Sequence, residues 1–238
     1  MCEATASDGS RVVLKLIDDD TEELDILTAL SKIKSAANHA IELHGTVVAM
    51  TRVIALPWRI PLHDYRKDTE SAASFPKQFL EGVAFLHDQK VAHLDLKPDN
   101  VVVDGVDPER PPRLLIIDFG VSIRVDDEDT TIEGFRGTLP WVAPEVGMPN
   151  GPTMEYSPIR ADRWACGQMM TVLKRRFRGG PGPDQMARAL MSDDPGSRPS
   201  LKGVLKEYVE DRPKKRSQAS QLELVESKWV HLRTRLYE

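Results

Sequence analysis

Apolar residues follow two different periods along the chain, and these periods predict where strands and helices lie. Short runs rich in β-branched residues predict strands at 11–17, 45–50, 52–56, 91–92, 101–103 and 114–117. Spacings of three and four predict helices over 24–33, 79–86 and 222–236, and a further helix is expected to begin at 161–167. Both element types are therefore present, with half of the predicted strands in the first quarter of the chain.

Cap residues indicate where two of these helices begin. Ser74 occupies an N-cap position and Pro76 lies in the first turn, where a missing N–H costs little. The expected buried face of that helix consists of Phe79, Leu80, Val83 and Leu86. The helix over 24–33 follows an acidic run, in which Asp20 and Glu23 have the spacing of a capping box. In that interpretation, Glu23 only serves its own helix.

Composition narrows the class of protein. A chain of 238 residues can form one large domain or two small lobes, and its 40% hydrophobic and 29% charged residues are typical of globular proteins. The net charge of −5 gives no support to nucleic-acid binding. Two cysteines provide no disulfide framework, and no apolar run reaches membrane-spanning length. We therefore expect an intracellular protein, cytoplasmic or nuclear, with no membrane partner.

The stretch richest in candidate chemistry is residues 93–100, which read His-Leu-Asp-Leu-Lys-Pro-Asp-Asn. It lies between the buried helix and the strand at 101–103, so it is a loop held by rigid elements. Asp95 is followed by Lys97 and Asn100. In phosphoryl transfer, such a loop supplies a carboxylate for the incoming hydroxyl, a cation for the γ-phosphate and an amide oxygen for a metal.

This octet resembles the catalytic loop of eukaryotic protein kinases, H-R-D-L-x-x-x-N, with Leu94 in place of the usual arginine. Further segments resemble motifs of the same family in the same order: Asp-Phe-Gly at 118–120, Gly-Thr-Leu-Pro-Trp-Val-Ala-Pro-Glu at 137–145, Asp-x-Trp-x-x-Gly at 162–167 and Asp-Pro-x-x-Arg-Pro at 194–199. The resemblance covers roughly residues 11–210. Lys97 is typical of the serine/threonine type. The motif sequences, including His-Leu-Asp, are similar to those of divergent kinase-domain proteins of fungi.

The resemblance implies an α+β, bilobal, protein kinase-like fold. Residues 1–58 would form the β-rich N-lobe and hinge, 59–212 the mainly helical C-lobe, and 213–238 a linker with a C-terminal amphipathic helix. The family places a glycine-rich loop before the lysine strand. Here 14 residues precede Lys15, and Gly9 is the sole glycine among the first 44. We therefore predict a truncated N-lobe that lacks this loop.

The resemblance also assigns roles to individual residues. Asp95 would orient or deprotonate the acceptor hydroxyl, and Lys97 would neutralise charge on the γ-phosphate. Asn100 and Asp118 would hold Mg²⁺, for which oxygen ligands are suitable. Glu145 would pair with Arg198 in a structural ion pair.

Nucleotide binding would fall to the predicted N-lobe. Lys15 would hold the α- and β-phosphates of ATP, with Glu23 as its partner, although eight residues separate the two and the family usually has more. The hinge that receives the adenine is placed at 55–58, which makes Ala55, Leu56 and Trp58 candidate contacts. Pro57 has no N–H to donate.

The implied reaction is transfer of the ATP γ-phosphoryl group to a Ser or Thr hydroxyl of a protein substrate, weakened by the absent glycine-rich loop. Two alternatives stay open: a pseudokinase that acts as a scaffold, and a small-molecule phosphotransferase of the aminoglycoside or choline kinase type, against which the segment 137–145 argues. Residues 121–142 are expected to form the activation segment, with 126–129 as a solvated acidic loop. The stripe at 222–236 is expected to dock on the C-lobe or on a partner.

Overall fold

A four-stranded antiparallel sheet forms the N-terminal part of the protein. The computed structural model describes residues 1–48, 51–66, 71–105, 110–177 and 183–208. The sheet consists of β1 (Cys2–Thr5), β2 (Arg11–Ile17), β3 (Gly45–Val48) and β4 (Arg52–Pro57), in the order β1-β2-β4-β3. Strands β2, β3 and β4 lie where the sequence predicted them. β1 was not predicted, and it pairs with β2 through a turn at 6–10 in which Gly9 has a φ of +84°.

β4 continues one residue beyond its predicted end. Pro57 was expected to break the strand, but it lies opposite Val12 in the β2–β4 ladder. The next residue, Trp58, donates its N–H to the carbonyl oxygen of Arg11 at 3.0 Å. Because alternate residues of a strand point their backbone groups to opposite sides, Pro57 need not donate to β2.

Helix α1 (Glu23–Ser31) packs beneath the sheet. Its predicted apolar spacing is confirmed, since Ile26, Leu27 and Leu30 are buried. The capping-box interpretation is wrong: the N-cap residue is Glu22, and no side chain caps the helix. Glu23 is nearly fully buried and turns its carboxylate away from the helix N-terminus, toward β2.

The remaining elements form a mainly helical lobe. They are α2 (Phe75–Asp88), α3 (Pro158–Phe177), α4 (Pro183–Leu190), a helix over 201–208, and the short strands β5 (Ile60–Pro61), β6 (Val91–Ala92), β7 (Val101–Asp104), β8 (Arg113–Ile116), β9 (Ile123–Arg124), β10 (Ile132–Glu133) and β11 (Glu155–Tyr156). Single 3₁₀ turns lie at Leu62–Asp64, Ser71–Ser74, Pro98–Asn100, Pro144–Val146 and Pro195–Ser197. β5, β7 and β8 form an antiparallel sheet, and β6 pairs with β9. The expected bilobal α+β fold is confirmed.

Helix α2 presents its predicted face to the core, because all four residues of that face have no exposed surface. Ser74 is the N-cap residue, as expected, although its hydroxyl accepts a hydrogen bond from the side chain of Gln78 at 2.8 Å and not from a backbone N–H. Helix α2 packs against β8 and α3.

Helix α3 begins three residues before the predicted position, at Pro158, and its last turn carries the basic run Lys174–Arg176. A side chain at Gly167 would meet the carbonyl oxygen of Ala187 at 2.7 Å, so glycine lets α3 approach α4 closely. The predicted linker and the stripe at 222–236 lie outside the described residues. Within the described ranges, no helix combines the length and the apolar character needed to cross a bilayer.

Candidate active site

The loop at 93–100 is held in place by the N-terminal turn of α3. Asp162 accepts hydrogen bonds from the backbone N–H groups of His93 and Leu94, at 2.7 and 2.8 Å, and it also lies 3.1 Å from the ring of His87. Asp162 is 1% exposed. Because a buried carboxylate needs such donors, α3 fixes the loop with a group that has no alternative partner in solvent.

His93 stabilises the loop from inside. Its Nδ1 accepts the backbone N–H of Asp95 at 3.2 Å, so its Nε2 donates to the carbonyl oxygen of Ile117, at 3.0 Å. This arrangement requires the neutral imidazole. Burial lowers the pKa of His93 below its usual value of 6.5, which agrees with that requirement.

One carboxylate oxygen of Asp95 is held by hydrogen bonds, and the other is available as an acceptor. Oδ2 accepts from Lys97 Nζ at 2.7 Å and from Asn100 Nδ2 at 2.9 Å. Lys97 also donates to the hydroxyl of Thr138, at 2.7 Å. Oδ1 is buried and makes no hydrogen bond to any described residue. The site thus contains a positioned acceptor atom whose orientation is set by two neighbours.

Lys15 connects the two lobes. Its Nζ lies 2.7 Å from both carboxylate oxygens of Glu23 and 2.6 Å from Asp118 Oδ1. Burial alone would lower the pKa of Lys15, but the hydrogen bonds to both carboxylates outweigh it and raise that pKa. Likewise, burial would raise the pKa of Asp118, and the hydrogen bond from Lys15 holds it below the usual range. The predicted Lys15–Glu23 pair is present.

Asp118 follows β8 in a left-handed backbone conformation, with a φ of +66°. A non-glycine residue rarely adopts this conformation, and it aims the carboxylate into the space between the lobes. The next residue, Phe119, is fully buried against the ring of His93, at 5.0 Å between centroids. Phe119 also donates its N–H to Glu23 at 3.3 Å. Residues 118–120 are therefore anchored to α1 and to the loop.

A cavity of about 310 Å³ lies between the sheet and β7. It is lined by residues of both lobes, among them Val13, Lys15, Leu56, Trp58, Arg59, Val102, Ile117 and Asp118. Two of the three predicted hinge contacts, Leu56 and Trp58, are part of this lining. Ala55 is not, because it points to the other face of β4 and lines a separate groove with Val12 and Leu14.

Both backbone groups of Trp58 form hydrogen bonds within the protein. Its N–H donates to Arg11, as noted, and its carbonyl oxygen accepts from Arg59 Nη1 at 2.9 Å. The Arg11 guanidinium also lies 3.9 Å above the Trp58 ring. The N–H of Trp58 is therefore not free to donate into the cavity, whereas its carbonyl oxygen retains a second lone pair.

The predicted metal ligands fit a hard cation. Both Nδ2 hydrogen bonds of Asn100 go to Asp95, so the Asn100 amide oxygen is available. Asp118 supplies a carboxylate. Within the described ranges, no cluster of three or more His, Cys, Asp or Glu residues could hold a metal. Two protein oxygens suit Mg²⁺, which usually takes its other ligands from water and substrate phosphates.

The segment after Asp118 returns to the loop at Gly137, which has a φ of +109°. A side chain there would meet the carbonyl oxygen of Leu94 at 2.5 Å, so glycine permits this close approach. The expectation that 126–129 form a solvated acidic loop is confirmed, since all four residues are exposed, but two of them also pair with helix α3. Glu128 pairs with Arg163, and Asp129 pairs with Arg160 at 2.6 Å.

Comparison with known proteins identifies the family. A family model described as the protein kinase domain matches residues 62–230, more than half of the chain. The chain belongs to the protein kinase domain family.

Individual kinases match over shorter stretches. Death-associated protein kinase 2 of Homo sapiens is 37% identical over 107 residues, which are 44% of this chain and 26% of that protein. Serine/threonine-protein kinase ppk24, mitochondrial, of Schizosaccharomyces pombe is 38% identical over 111 residues, 44% of this chain and 22% of that protein. CBL-interacting serine/threonine-protein kinase 26 of Arabidopsis thaliana is 28% identical over 189 residues, 72% of this chain and 41% of that protein. The chain thus spans between about a fifth and two fifths of the length of these relatives.

In this kinase domain, some contributions to the site were not predicted from the sequence. Val13 lines the cavity beside Lys15, two positions along the same face of β2, and the alternation of a strand could have indicated it. Thr138 contacts Lys97 across 41 residues. Arg59 reaches back to the hinge carbonyl, and no sequence pattern indicated that contact.

Proposed function

We propose that this kinase domain transfers the γ-phosphoryl group of ATP to a Ser or Thr hydroxyl of a protein substrate. The observation that carries the proposal is the buried Oδ1 of Asp95, which makes no hydrogen bond to any residue that the structure describes. A carboxylate oxygen in this position accepts the hydrogen of an incoming hydroxyl, while Lys97 and Asn100 keep the other oxygen fixed. The Ser/Thr type is supported by Lys97 and by relatives named as serine/threonine kinases.

In this proposal, the acceptor hydroxyl donates to Asp95 Oδ1 and attacks the γ-phosphorus as the bond to the β-phosphate oxygen breaks. Lys97 is close enough to Asp95 to balance the charge of the transferred group. Lys15 binds the α- and β-phosphates, and Glu23 holds its ammonium in place. Asn100 and Asp118 would hold Mg²⁺, which supplies charge stabilisation for the phosphates. Positioning and electrostatics account for most catalysis in this reaction.

The base of the nucleotide is proposed to lie against Val13 and Leu56, which line the apolar part of the cavity. Its polar edge would meet the carbonyl oxygen of Pro57 and the N–H of Arg59, since the N–H of Trp58 is donated to Arg11. We also propose that this chain binds the phosphates weakly and transfers slowly, because Gly9 is the single glycine among its first 44 residues and they contain no G-x-G-x-x-G sequence.

A second candidate function is a scaffold with a kinase fold, and one contact favours it. Lys15 binds Asp118 at 2.6 Å, so the predicted metal ligand is already neutralised. Binding of Mg²⁺ and ATP has to replace this contact. If the replacement is too unfavourable, the domain keeps its shape and binds partners without catalysis.

Phosphate transfer separates the two functions. Purified protein is incubated with Mg²⁺ and radiolabelled ATP in the presence of a generic Ser/Thr protein substrate, and ATP binding is measured by calorimetry. Asp95→Asn keeps the side-chain shape and is expected to lower transfer by about 100-fold or more while ATP still binds. Asp88→Asn, at the exposed end of α2, is the matched control. Absence of ATP binding at millimolar concentration would reject the enzyme and leave the scaffold.

For partners, we propose that the stripe at 222–236 docks on the C-lobe or on a second protein. The stripe consists of Leu222, Val225, Trp229, Leu232 and Leu236. Five large apolar side chains on one helical face rarely stay in water. Deletion of residues 218–238 should then lower stability or change the oligomeric state; no change in either would reject docking.

A further inference from the structure

The acidic turn at 126–129 is joined to helix α3 by several contacts. The Glu128 carboxylate contacts the guanidinium of Arg163, and the Glu128 carbonyl oxygen accepts from the hydroxyl of Ser157 at 2.7 Å. The next residue, Asp129, contacts Arg160 at 2.6 Å. Glu128 is thus held through its side chain and its backbone at once.

The two ion pairs differ in how strongly they stabilise the turn. The side chains of Asp129 and Arg160 are 78% and 26% exposed, and exposed pairs contribute little because water screens them. In the second pair the Glu128 side chain is 50% exposed, but that of Arg163 is only 8% exposed. A buried guanidinium without a counter-charge is strongly unfavourable. Glu128 supplies that charge, so the Glu128–Arg163 pair is the one that holds the turn.

Arg163 also connects Glu128, within the activation segment 121–142, with Glu145, which lies three residues beyond the end of that segment. Its Nη1 donates to the carbonyl oxygen of Arg198 at 3.3 Å. The Arg198 guanidinium in turn binds Glu145. Glu128 and Glu145 are therefore held by neighbouring arginines beneath the segment that lies between them.

The position of this segment matters at the catalytic loop. Thr138 lies within it and contacts Lys97, which contacts Asp95. Leu94 is 6% exposed and lies in the apolar cluster with Ile123 and Val125, so position 94 of the loop offers no cation to the first half of the segment. The charge that anchors the first half of the segment is instead Arg163, on α3.

We propose that Glu128, bound to the buried Arg163, is a positioning residue that keeps the segment 121–142 in the conformation that admits a protein substrate. The anchoring charge is part of the polypeptide, so no added phosphate is needed to supply it. The inference rests on the proposed function for its consequence in catalysis, but the anchoring itself is a property of the fold.

Glu128→Gln removes the charge and keeps the shape of the side chain. Its matched control is Asp126→Asn, an exposed acid in the same turn. Trypsin cleavage after Arg136, an exposed residue of the segment, is followed by mass spectrometry. We expect cleavage of Glu128→Gln to be at least about fivefold faster than that of wild type, with the control unchanged. Equal cleavage of the two variants would overturn the proposal.

Kinetics then distinguish positioning from general destabilisation. Glu128→Gln is expected to raise the KM for the protein substrate severalfold while the Kd for ATP stays within twofold. An equal rise in the KM for the protein substrate and in the Kd for ATP would overturn the proposal. Glu128→Asp keeps the charge, so its KM for the protein substrate should lie nearer to that of wild type than the KM of Glu128→Gln does. The reverse order would show that the charge does not anchor the segment.

These two measurements separate failure of the inference from failure of the proposed function. If wild type transfers no phosphate, the proposed function fails, and cleavage after Arg136 still decides whether Glu128 holds the segment. If wild type is active and Glu128→Gln shows neither faster cleavage nor a raised substrate KM, the inference alone fails.

Discussion

The guanidinium of Arg198 binds both carboxylate oxygens of Glu145, at 2.5 and 2.8 Å. The Arg198 side chain is fully buried, and its remaining N–H groups donate to the carbonyl oxygens of Ser192 and Arg160. This pair joins Glu145, just after the activation segment 121–142, to the loop that follows α4. The sequence predicted it from two separate motifs, and the structure confirms it.

Arg198→Ala should therefore destabilise the fold strongly. The change leaves Glu145 without the counter-charge of Arg198 and removes the donors to the carbonyl oxygens of Ser192 and Arg160. Breaking a buried ion pair costs about 3–5 kcal/mol, which corresponds to a fall in Tm of roughly 6–20 °C for a domain of this size. Differential scanning calorimetry measures the shift.

The control for this prediction is Lys202→Ala. Lys202 pairs with Asp88 at 2.9 Å, but the two side chains are 68% and 43% exposed. Such a pair contributes about 0–1 kcal/mol. Similar Tm shifts in the two variants would show that burial does not decide the strength of the Arg198 pair.

The next prediction concerns Glu23, which could have been either a capping residue or the partner of Lys15. Glu23→Gln removes the charge that fixes Lys15, and the Kd for ATP should rise roughly 10–100-fold, as expected for a lost hydrogen bond between charged groups. Asp20→Ala should leave both ATP binding and Tm unchanged, because Asp20 does not cap α1. Calorimetric titration of both variants is the test. A larger effect from Asp20→Ala would restore the capping interpretation.

Contacts within one element or one short motif could be predicted from the sequence. The buried face of α2 follows from helical spacing, and the Asp95–Lys97–Asn100 cluster lies within one loop of six residues. Residues in a strand alternate between faces, so a hinge bracket only four residues wide includes both faces of β4. That is why Leu56 lines the cavity and Ala55 lines the groove on the other face.

Contacts that depend on the packing of distant elements could not be predicted. Glu128 and Arg163 are 35 residues apart, and each belongs to a charged run that a solvated surface explains equally well. Their pairing depends on how deeply α3 is buried, and a local pattern does not encode that depth. The sequence therefore predicted the exposure of the acidic turn correctly, but not its pairing with α3.

The buried histidines make stability depend on pH. Burial lowers the pKa values of His93 and His39 below 6.5 in the folded protein. Below pH 6.5 the unfolded chain binds more protons at these groups than the folded chain does, so the free energy of unfolding falls as the pH drops. We expect Tm to decrease between pH 7.5 and 5.5.

Two variants test whether His93 causes this dependence of Tm on pH. His93→Gln should be less stable at neutral pH but should show a smaller change in Tm between pH 7.5 and 5.5. His44→Gln, at an exposed position, should retain the wild-type slope. An unchanged slope in His93→Gln would mean that other groups cause the pH dependence.

Phosphorylation in the activation segment should not control activity. Leu94 replaces the arginine that would bind a phosphate, and it is buried among apolar residues. The Thr130 hydroxyl already donates to Asp127 at 3.2 Å. Phosphatase treatment, or the double variant Thr130→Ala and Thr131→Ala, should leave phosphate transfer within about twofold of the untreated protein, a change of about 0.4 kcal/mol. A large loss that returns on rephosphorylation at these sites would contradict this prediction.

The last prediction concerns the metal. Asp118 contacts Lys15 at 2.6 Å and would exchange that contact for Mg²⁺ when ATP binds. Calorimetric titration of wild type with ATP should therefore show weak binding that strengthens when Mg²⁺ is added. In Asp118→Ala, the added Mg²⁺ should no longer strengthen binding, because one of two protein oxygens for the cation is gone. Binding of ATP without Mg²⁺ should persist in this variant, since Lys15 keeps its contact with Glu23 and remains able to bind phosphate. A variant that still responds to Mg²⁺ as wild type does would place the metal elsewhere.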